Sequence, residues 1–210
     1  DHDFPGAVTC CGINNRGVAL IDNKVVSHTL DGRLIVTNKD SGEIEQEVQL
    51  ADASVAEVIT AAPLVVKNSA ITGVAGAEYG IRGWLHSTNL ADGSKNWRTY
   101  TIPAPDEPGG DTWKQGPEVH SKDAWMHGGG STWVVGSYDP DLDVIYWGVG
   151  NPGPDWDNEY RPGDNLYSNS VLALDADSGK IKWYFQYTPN DPYDFDGVNE
   201  QTLVLSLIHI

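Results

Sequence analysis

Apolar residues alternate with polar ones over short runs of this chain, which is typical of β-strands with one buried face. The clearest run, Ser170–Asp175, is apolar and is followed by turn chemistry at residues 177–180. Beyond the turn, Ile181, Trp183 and Phe185 alternate with polar or amphipathic residues. The pattern predicts a β-hairpin whose second strand has one apolar face.

A second hairpin is predicted upstream of the first one. Residues 133–138 form one strand, residues 139–141 the turn, and Val144 to Trp147 the returning strand. Between the hairpins and the earlier part of the chain, residues 101–130 read as an insertion rich in proline and glycine. The chain contains 23 glycines and 12 prolines, a density that disfavours helices.

The hairpin unit recurs along the chain. An Asn or Asp precedes a glycine by four residues at three places: Asn38 and Gly42, Asn89 and Gly93, Asp175 and Gly179. Trp97 and Trp183 follow their glycines by four residues, and Gln46 holds that place in the first copy. Such repeats predict an all-β fold, a β-propeller of which this chain covers three to four blades, with the tryptophans packed between blades. A β-sandwich is the alternative.

Composition limits the partners that the protein can have. Thirteen Lys and Arg against 30 Asp and Glu give a net charge of −17, which makes the protein a poor candidate for binding nucleic acid or an anionic membrane. Such a surface suits a cationic partner or a bound metal ion, although solubility alone explains much of the charge. No apolar run approaches the roughly 20 residues of a membrane span.

The ends of the chain also carry information. The first residue is not methionine, and Met126 is the only one, so we expect an internal fragment of a longer protein. Residues 205–210 read as translated sequencing adapter, and we interpret them as a non-native tail. Residues 1–204 are then the native part, expected to be one partial propeller domain.

Cys10 and Cys11 are the only cysteines and are adjacent. A pair placed side by side cannot join distant segments of the chain. The dipeptide is either a vicinal disulfide, which in a protein usually marks a functional site, or two buried thiols.

Several short polar segments carry a family resemblance. They are residues 10–12, 15–17, Thr60, 76–83, 128–133, 148–152, 161–165 and 191–197. In this order and spacing they resemble the alcohol dehydrogenases that depend on pyrroloquinoline quinone (PQQ), the quinoprotein methanol and ethanol dehydrogenases. The resemblance runs from Cys10 to about Val204 and implies an eight-bladed propeller for the whole protein.

The resemblance implies a cofactor site. Cys10 and Cys11 match a vicinal disulfide on one face of the quinone, and Trp133 matches the indole on the other. A flat ring system favours flat apolar walls. Arg16 matches an arginine that pairs with cofactor oxygens. The remaining polar and backbone contacts match Thr60, Gly76, Ala77 and Ser131.

The resemblance also implies a metal site and a base. Glu78, Asn151 and Asp194 match metal ligands, and Asp194 matches the catalytic base. Asp196 matches the aspartate of the lanthanide-dependent branch, and three carboxylates suit a trivalent ion, whereas two suit Ca²⁺. In a strand, residues two apart project to one side, so both aspartates could reach one ion. A solvent-facing Asp196 is the alternative.

The resemblance therefore implies oxidation of a primary alcohol, methanol or a short homologue, with PQQ and a lanthanide ion, and with Ca²⁺ as the alternative metal. Electrons would pass to a c-type cytochrome, whose basic surface suits an acidic protein. A disulfide fits the periplasm, and a homodimer is one open alternative for the oligomeric state. A non-catalytic propeller scaffold is the alternative from another class.

Overall fold

The computed structural model describes residues 9–116 and 119–204. Within these ranges the chain forms twelve strands in three four-stranded antiparallel sheets. The first sheet contains β1 (Ala19–Ile21), β2 (Lys24–His28), β3 (Arg33–Asn38) and β4 (Ile44–Gln49). The second contains β5 (Leu64–Val66), β6 (Ser69–Gly73), β7 (Trp84–Asn89) and β8 (Lys95–Tyr100). The third contains β9 (Ser137–Asp139), β10 (Val144–Val149), β11 (Ser170–Asp175) and β12 (Ile181–Gln186).

Each sheet is a simple meander in which consecutive strands pair. This is the blade architecture that the repeats predict, and three blades agree with the predicted three to four. Four short 3-10 helices lie between strands: Ala53–Val55, Ala77–Tyr79, Gly110–Thr112 and Val119–His127. The last two fall in the predicted insertion. No helix among the described residues is long and apolar enough to cross a membrane.

The turn before the last strand of each blade explains the repeated glycine. Gly42, Gly93 and Gly179 have φ of 77°, 77° and 68°, a conformation that residues with a side chain rarely adopt. The N–H of each glycine donates to the carbonyl of the Asn or Asp four residues earlier, at 2.8–2.9 Å. The side-chain oxygen of that Asn or Asp accepts further N–H groups of the turn. The spacing is therefore dictated by turn chemistry.

The residue four positions after the turn glycine joins neighbouring blades. Trp97 is 7% exposed, its Nε1 donates to the carbonyl oxygen of Ala176 at 3.1 Å, and its ring lies against Gly179 of the next blade. Gln46 lies against Gly93 in the same way. The prediction of packing between blades is confirmed for Trp97. Trp183 is 50% exposed and contacts Tyr146 of its own blade, with the ring centres 5.8 Å apart.

Two apolar cores lie between the blades. One joins the first and second sheets through Leu34 and Trp84, and the other joins the second and third through Leu85 and Trp147. All four side chains are fully buried, as expected for faces that pack sheet against sheet.

Three sequence predictions need correction or fall outside the structure. Strand β9 begins at Ser137, so residues 133–136 lie outside the sheet, and Trp133 lines a pocket. Asp194 and Asp196 lie in a loop with positive φ of 60° and 56°, not in a strand. The interpretation of residues 205–210 as an adapter tail concerns residues outside the described part.

Candidate functional site

One pocket of about 330 Å³ collects most of the predicted site residues. This volume lies at the lower end of the range for small-molecule sites. The predicted residues that line it are Cys10, Cys11, Arg16, Thr60, Gly76, Glu78, Ser131, Trp133, Asp194 and Asp196. They come from five separate segments of the chain, so their convergence is a product of the fold.

A close approach of the 131–133 segment to the adjoining ends of β6 and β7 forms one wall of this pocket. Thr132 is fully buried, and its N–H donates to the Val74 carbonyl at 2.8 Å, while its hydroxyl donates to the Trp84 carbonyl at 2.8 Å. A side chain at Gly73 would come within 2.1 Å of the Thr132 carbonyl oxygen. Glycine at 73 therefore allows the contact that brings Ser131 and Trp133 to the pocket.

The acidic wall is built where β10 ends. Asn151 follows that strand, and its backbone N–H donates to Asp196 Oδ1 at 3.1 Å. The Gly150 N–H donates to the Ser131 carbonyl at 2.8 Å, and a side chain at Gly150 would come within 2.7 Å of Asp196 Oδ1. These contacts place Asp196 next to the Ser131–Trp133 wall.

Burial and mutual repulsion perturb the two aspartates of the loop. Burial raises the pKa of Asp196 to about 6, and the negative charges of Asp194 and Glu78 add to the effect. Burial also raises the pKa of Asp194, with a further contribution from Asp191. The pocket thus concentrates carboxylates in a place where a cation would stabilise their ionised form.

The opposite side of the pocket is flat and cationic. Cys10 and Cys11 form a disulfide, which confirms the vicinal reading of the pair. The Arg16 guanidinium lies 4.8 Å above the ring centre of Trp133, in cation–π contact, and one of its terminal nitrogens donates to the Thr60 carbonyl at 3.4 Å. The backbone N–H of Arg16 donates to the same carbonyl at 3.1 Å. A planar ligand stacked on Trp133 requires this guanidinium to move towards the rim.

Two predicted residues stand behind the pocket wall. Ala77 is 2% exposed in the 3-10 helix that carries Glu78, and Asn151 is 3% exposed behind Asp196. In residues 9–116 and 119–204, no three acidic, His or Cys side chains are gathered tightly enough to hold a metal ion. The carboxylates share a pocket without converging on one point, as expected for like charges.

The donor set nevertheless fits a hard cation. Carboxylate oxygens from Glu78, Asp194 and Asp196 face one pocket, with the Asn151 amide adjacent, and hard cations prefer such oxygen ligands. The flat walls and Arg16 likewise fit a planar, anionic ring system.

Sequence reasoning missed Asp155, which is 9% exposed. Asn151 Nδ2 donates to Asp155 Oδ1 at 2.6 Å, which fixes the orientation of the amide. Burial raises the pKa of Asp155, and the charge of Asp194 contributes. An acidic residue four positions after Asn151 was the available signal. Val58 also lines the pocket, through a bridge to Ala75 that no sequence pattern indicates.

A larger cleft of about 630 Å³ lies elsewhere, between β8 and β12. It is lined by residues such as Tyr100, Lys180 and Tyr184, and it is more open to solvent. It contains none of the predicted site residues, so size alone does not identify the functional pocket.

The three blades and the pocket define a β-propeller protein that can enclose a planar ligand between a disulfide and an indole, above a cluster of carboxylates. Residues 7–207 match the family described as the glucose/ethanol/alcohol dehydrogenase β-propeller domain, designated PQQ. The chain belongs to this family of PQQ-dependent dehydrogenases, as its sequence resemblance predicts.

Individual relatives agree with this assignment. Quinoprotein alcohol dehydrogenase PedH of Pseudomonas putida is 42% identical over 91% of this chain and 33% of its own length. The lanthanide-dependent methanol dehydrogenase of Methylacidiphilum fumariolicum is 40% identical over 94% of this chain and 34% of its own length. Among solved structures, a europium-containing methanol dehydrogenase superposes with a TM-score of 0.85 at 37% identity, covering 92% of this chain and 36% of that one. The chain therefore spans about a third of the length of these relatives.

Proposed function

We propose that the full-length gene product carrying this chain oxidises a primary alcohol, methanol or a short homologue, to the aldehyde with PQQ. The observation that supports this most is the single pocket in which the Cys10–Cys11 disulfide, Trp133 and three carboxylates meet. A non-catalytic scaffold does not require a disulfide, an indole and three carboxylates in one pocket.

In this proposal, the Cys10–Cys11 disulfide and Trp133 hold the two faces of the cofactor ring. Arg16 turns from Trp133 towards the carboxylates of the cofactor, which a guanidinium binds through a planar fork of donors. The rim is completed by side-chain and backbone groups of Thr60, Gly76, Ala77 and Ser131. These residues orient a flat ligand and exclude water from both of its faces.

Glu78, Asn151, Asp194 and Asp196 would hold the metal ion. Three carboxylates supply three negative charges, which favours a trivalent lanthanide, and Ca²⁺ is the alternative if Asp196 does not bind. The burial of Asp196 supports the lanthanide choice, since a half-buried carboxylate without a cation carries a desolvation penalty.

Asp194 is the proposed base. When bound, PQQ supplies the electron acceptor and the metal supplies Lewis acidity. Asp194 is exposed to the pocket, and burial raises its pKa, so its carboxylate is a better proton acceptor than an ordinary aspartate. It would take the proton of the substrate hydroxyl.

The acceptor and the compartment belong to the same proposal. A relative in Methylorubrum extorquens, 37% identical over 94% of this chain and 34% of its own length, is named methanol dehydrogenase [cytochrome c] subunit 1. A net charge of −17 suits a basic c-type cytochrome as acceptor. The disulfide suits the periplasm, and the family resemblance is the basis for proposing a homodimer.

The test uses the full-length gene product, reconstituted with PQQ and either La³⁺ or Ca²⁺, and measures alcohol-dependent dye reduction. Asp196→Ala should weaken activation by La³⁺ by more than about 100-fold, since even residues outside the ligand shell often contribute 10- to 100-fold to metal affinity. Activation by Ca²⁺ should change far less. Asp106→Ala, at an exposed acidic residue of the insertion, is the control and should resemble the wild type.

Two outcomes would contradict the proposal. If Asp196→Ala retains full activation by La³⁺, the lanthanide assignment is wrong and the Ca²⁺ alternative stands. If the wild-type protein takes up no PQQ and shows no quinone absorbance, the protein is not a PQQ dehydrogenase and the scaffold alternative is favoured.

A further inference from the structure

Arg161 is fully buried, and its guanidinium binds three backbone carbonyls. Its Nε donates to the Pro154 carbonyl at 3.0 Å, and one terminal nitrogen donates to the carbonyls of Asp155 at 3.2 Å and Asp191 at 2.6 Å. The other terminal nitrogen donates to Asn165 Oδ1 at 2.9 Å. One side chain therefore ties two loops to each other.

These two loops carry the acidic wall of the pocket. The first, residues 151–155, contains Asn151, whose amide is oriented by Asp155. The second, residues 191–196, contains Asp194 and Asp196. Among the hydrogen bonds of the described residues, one joins the two loops on the pocket side: the Asn151 N–H donates to Asp196 Oδ1 at 3.1 Å. Arg161 joins them on the side away from the pocket.

Asp191 organises the second loop from within. Its carboxylate is fully buried and accepts the N–H groups of Tyr193 and Phe195, each at 2.8 Å, and Asn169 Nδ2 at 2.6 Å. These bonds fix the backbone on both sides of Asp194, which lines the pocket together with Asp196. Arg161 then holds the backbone of Asp191 in place.

Arginine suits this position because the three carbonyls lie around the planar guanidinium and each accepts one of its N–H groups. A guanidinium presents five donors in a rigid fork, whereas a lysine ammonium presents three donors at one point. Burying the charge is tolerated because these carbonyls and the nearby carboxylates of Asp191 and Asp155 compensate it. Since its donors are engaged by the loops, Arg161 is suited to positioning and not to contact with substrate.

We propose that Arg161, together with Asp191, is a positioning residue that sets the separation of Asn151 from Asp194 and Asp196 and thereby the affinity of the metal site. This inference rests on the proposed function, because it assumes that those residues bind the metal.

The test measures Tb³⁺ binding by the full-length protein through tryptophan-sensitised luminescence, without any turnover. Arg161→Lys should weaken Tb³⁺ binding by about tenfold or more, the range typical of groups that orient metal ligands. Arg33→Lys is the matched control, because Arg33 is 9% exposed and binds Asp31 and Glu47 in the first sheet. It should keep Tb³⁺ affinity within about twofold of the wild type. Circular dichroism establishes that each variant is folded at the temperature of the titration.

If Arg161→Lys does not fold, Asp191→Asn provides the second test, with the same expected loss. A folded variant of either residue with wild-type Tb³⁺ affinity would overturn the positioning role while leaving the proposed function intact. A wild-type protein that binds neither Tb³⁺ nor PQQ would overturn the proposed function, and this inference with it. In the alcohol assay, a positioning role lowers kcat at saturating La³⁺ more than it raises KM.

Discussion

His28 provides the sharpest prediction about stability, because it is buried at the end of β2 with both ring nitrogens hydrogen-bonded. It is 3% exposed, its Nδ1 lies 3.0 Å from the Ala61 carbonyl oxygen, and its Nε2 lies 2.9 Å from the Thr72 hydroxyl. A carbonyl only accepts, so Nδ1 carries the proton and Nε2 accepts from Thr72. This assignment describes the neutral imidazole, which burial favours over the charged form.

Burial lowers the pKa of His28 from 6.5 to about 4. Between these values the unfolded chain binds a proton that the folded chain does not, so stability decreases as the pH falls from about 6.5 towards 4. Between about pH 7 and pH 5 this single group removes about 2 kcal/mol of stability. His28→Gln keeps a neutral donor and acceptor but cannot titrate in this range, so the variant should escape this loss.

The assay is denaturant unfolding of wild type and His28→Gln at about pH 7 and pH 5, followed by tryptophan fluorescence. His86 is the matched comparison, because it is 5% exposed, accepts from Arg98 and has a pKa lowered to about 4 by burial. His86→Gln should give a similar relief. Since Thr72 is bonded to His28 and pairs with His86 across β6 and β7, the two effects need not add. Equal loss of stability in wild type and His28→Gln would refute the reasoning.

Three further predictions concern the blades and the disulfide. Gly179→Ala should lower the free energy of unfolding by about 2 kcal/mol or more, because a side chain there would lie 2.4 Å from Trp97. Gly42→Ala should lower it by only about 1 kcal/mol, because no atom beyond the adjoining residues lies within 4 Å of the added side chain. Thermal unfolding of the two variants measures the difference. Trp97→Ala should cost about 3–5 kcal/mol and Trp183→Ala much less, given exposures of 7% and 50%, and equal losses in denaturant titrations would contradict the assignment. Reduction of the Cys10–Cys11 disulfide should weaken PQQ binding, measured by absorbance titration, with little change in global stability because the bridge closes no long loop.

The fold was predictable because its repeats are local. The bounds of β11 and β12 follow from apolar alternation around Gly179, and the turn needs nothing from the rest of the molecule. The start of β9 was not predictable in this way. Residues 133–136 have strand composition, but they follow Thr132, whose N–H and hydroxyl are bonded to the second blade, and such tertiary contacts override local strand preference.

The site shows a similar division between local and tertiary information. The residue types needed for a quinone and a hard cation are visible in the sequence through the family resemblance, and the pocket gathers most of them. The side chain that positions these residues could not be predicted. Arg161 binds backbone carbonyls, and every residue type has a carbonyl, so the sequence does not indicate the contact. Asp155 and Asp191 are visible as acidic residues, but their burial is not, since acidic residues in polar loops usually face solvent.

The spacing of Asp194 and Asp196 illustrates why a correct expectation can have a different structural cause. A separation of two residues suggests a strand, because alternate side chains of a strand share a face. Here both aspartates line one pocket from a loop, whose backbone is held by bonds from the N–H groups of Tyr193 and Phe195 to the Asp191 carboxylate. A strand would be held by a neighbouring strand, whereas this loop is held by one buried carboxylate and one buried guanidinium. The geometry of the acidic wall therefore depends on two side chains that line no part of the pocket, and substitutions there should alter metal binding without touching a ligand.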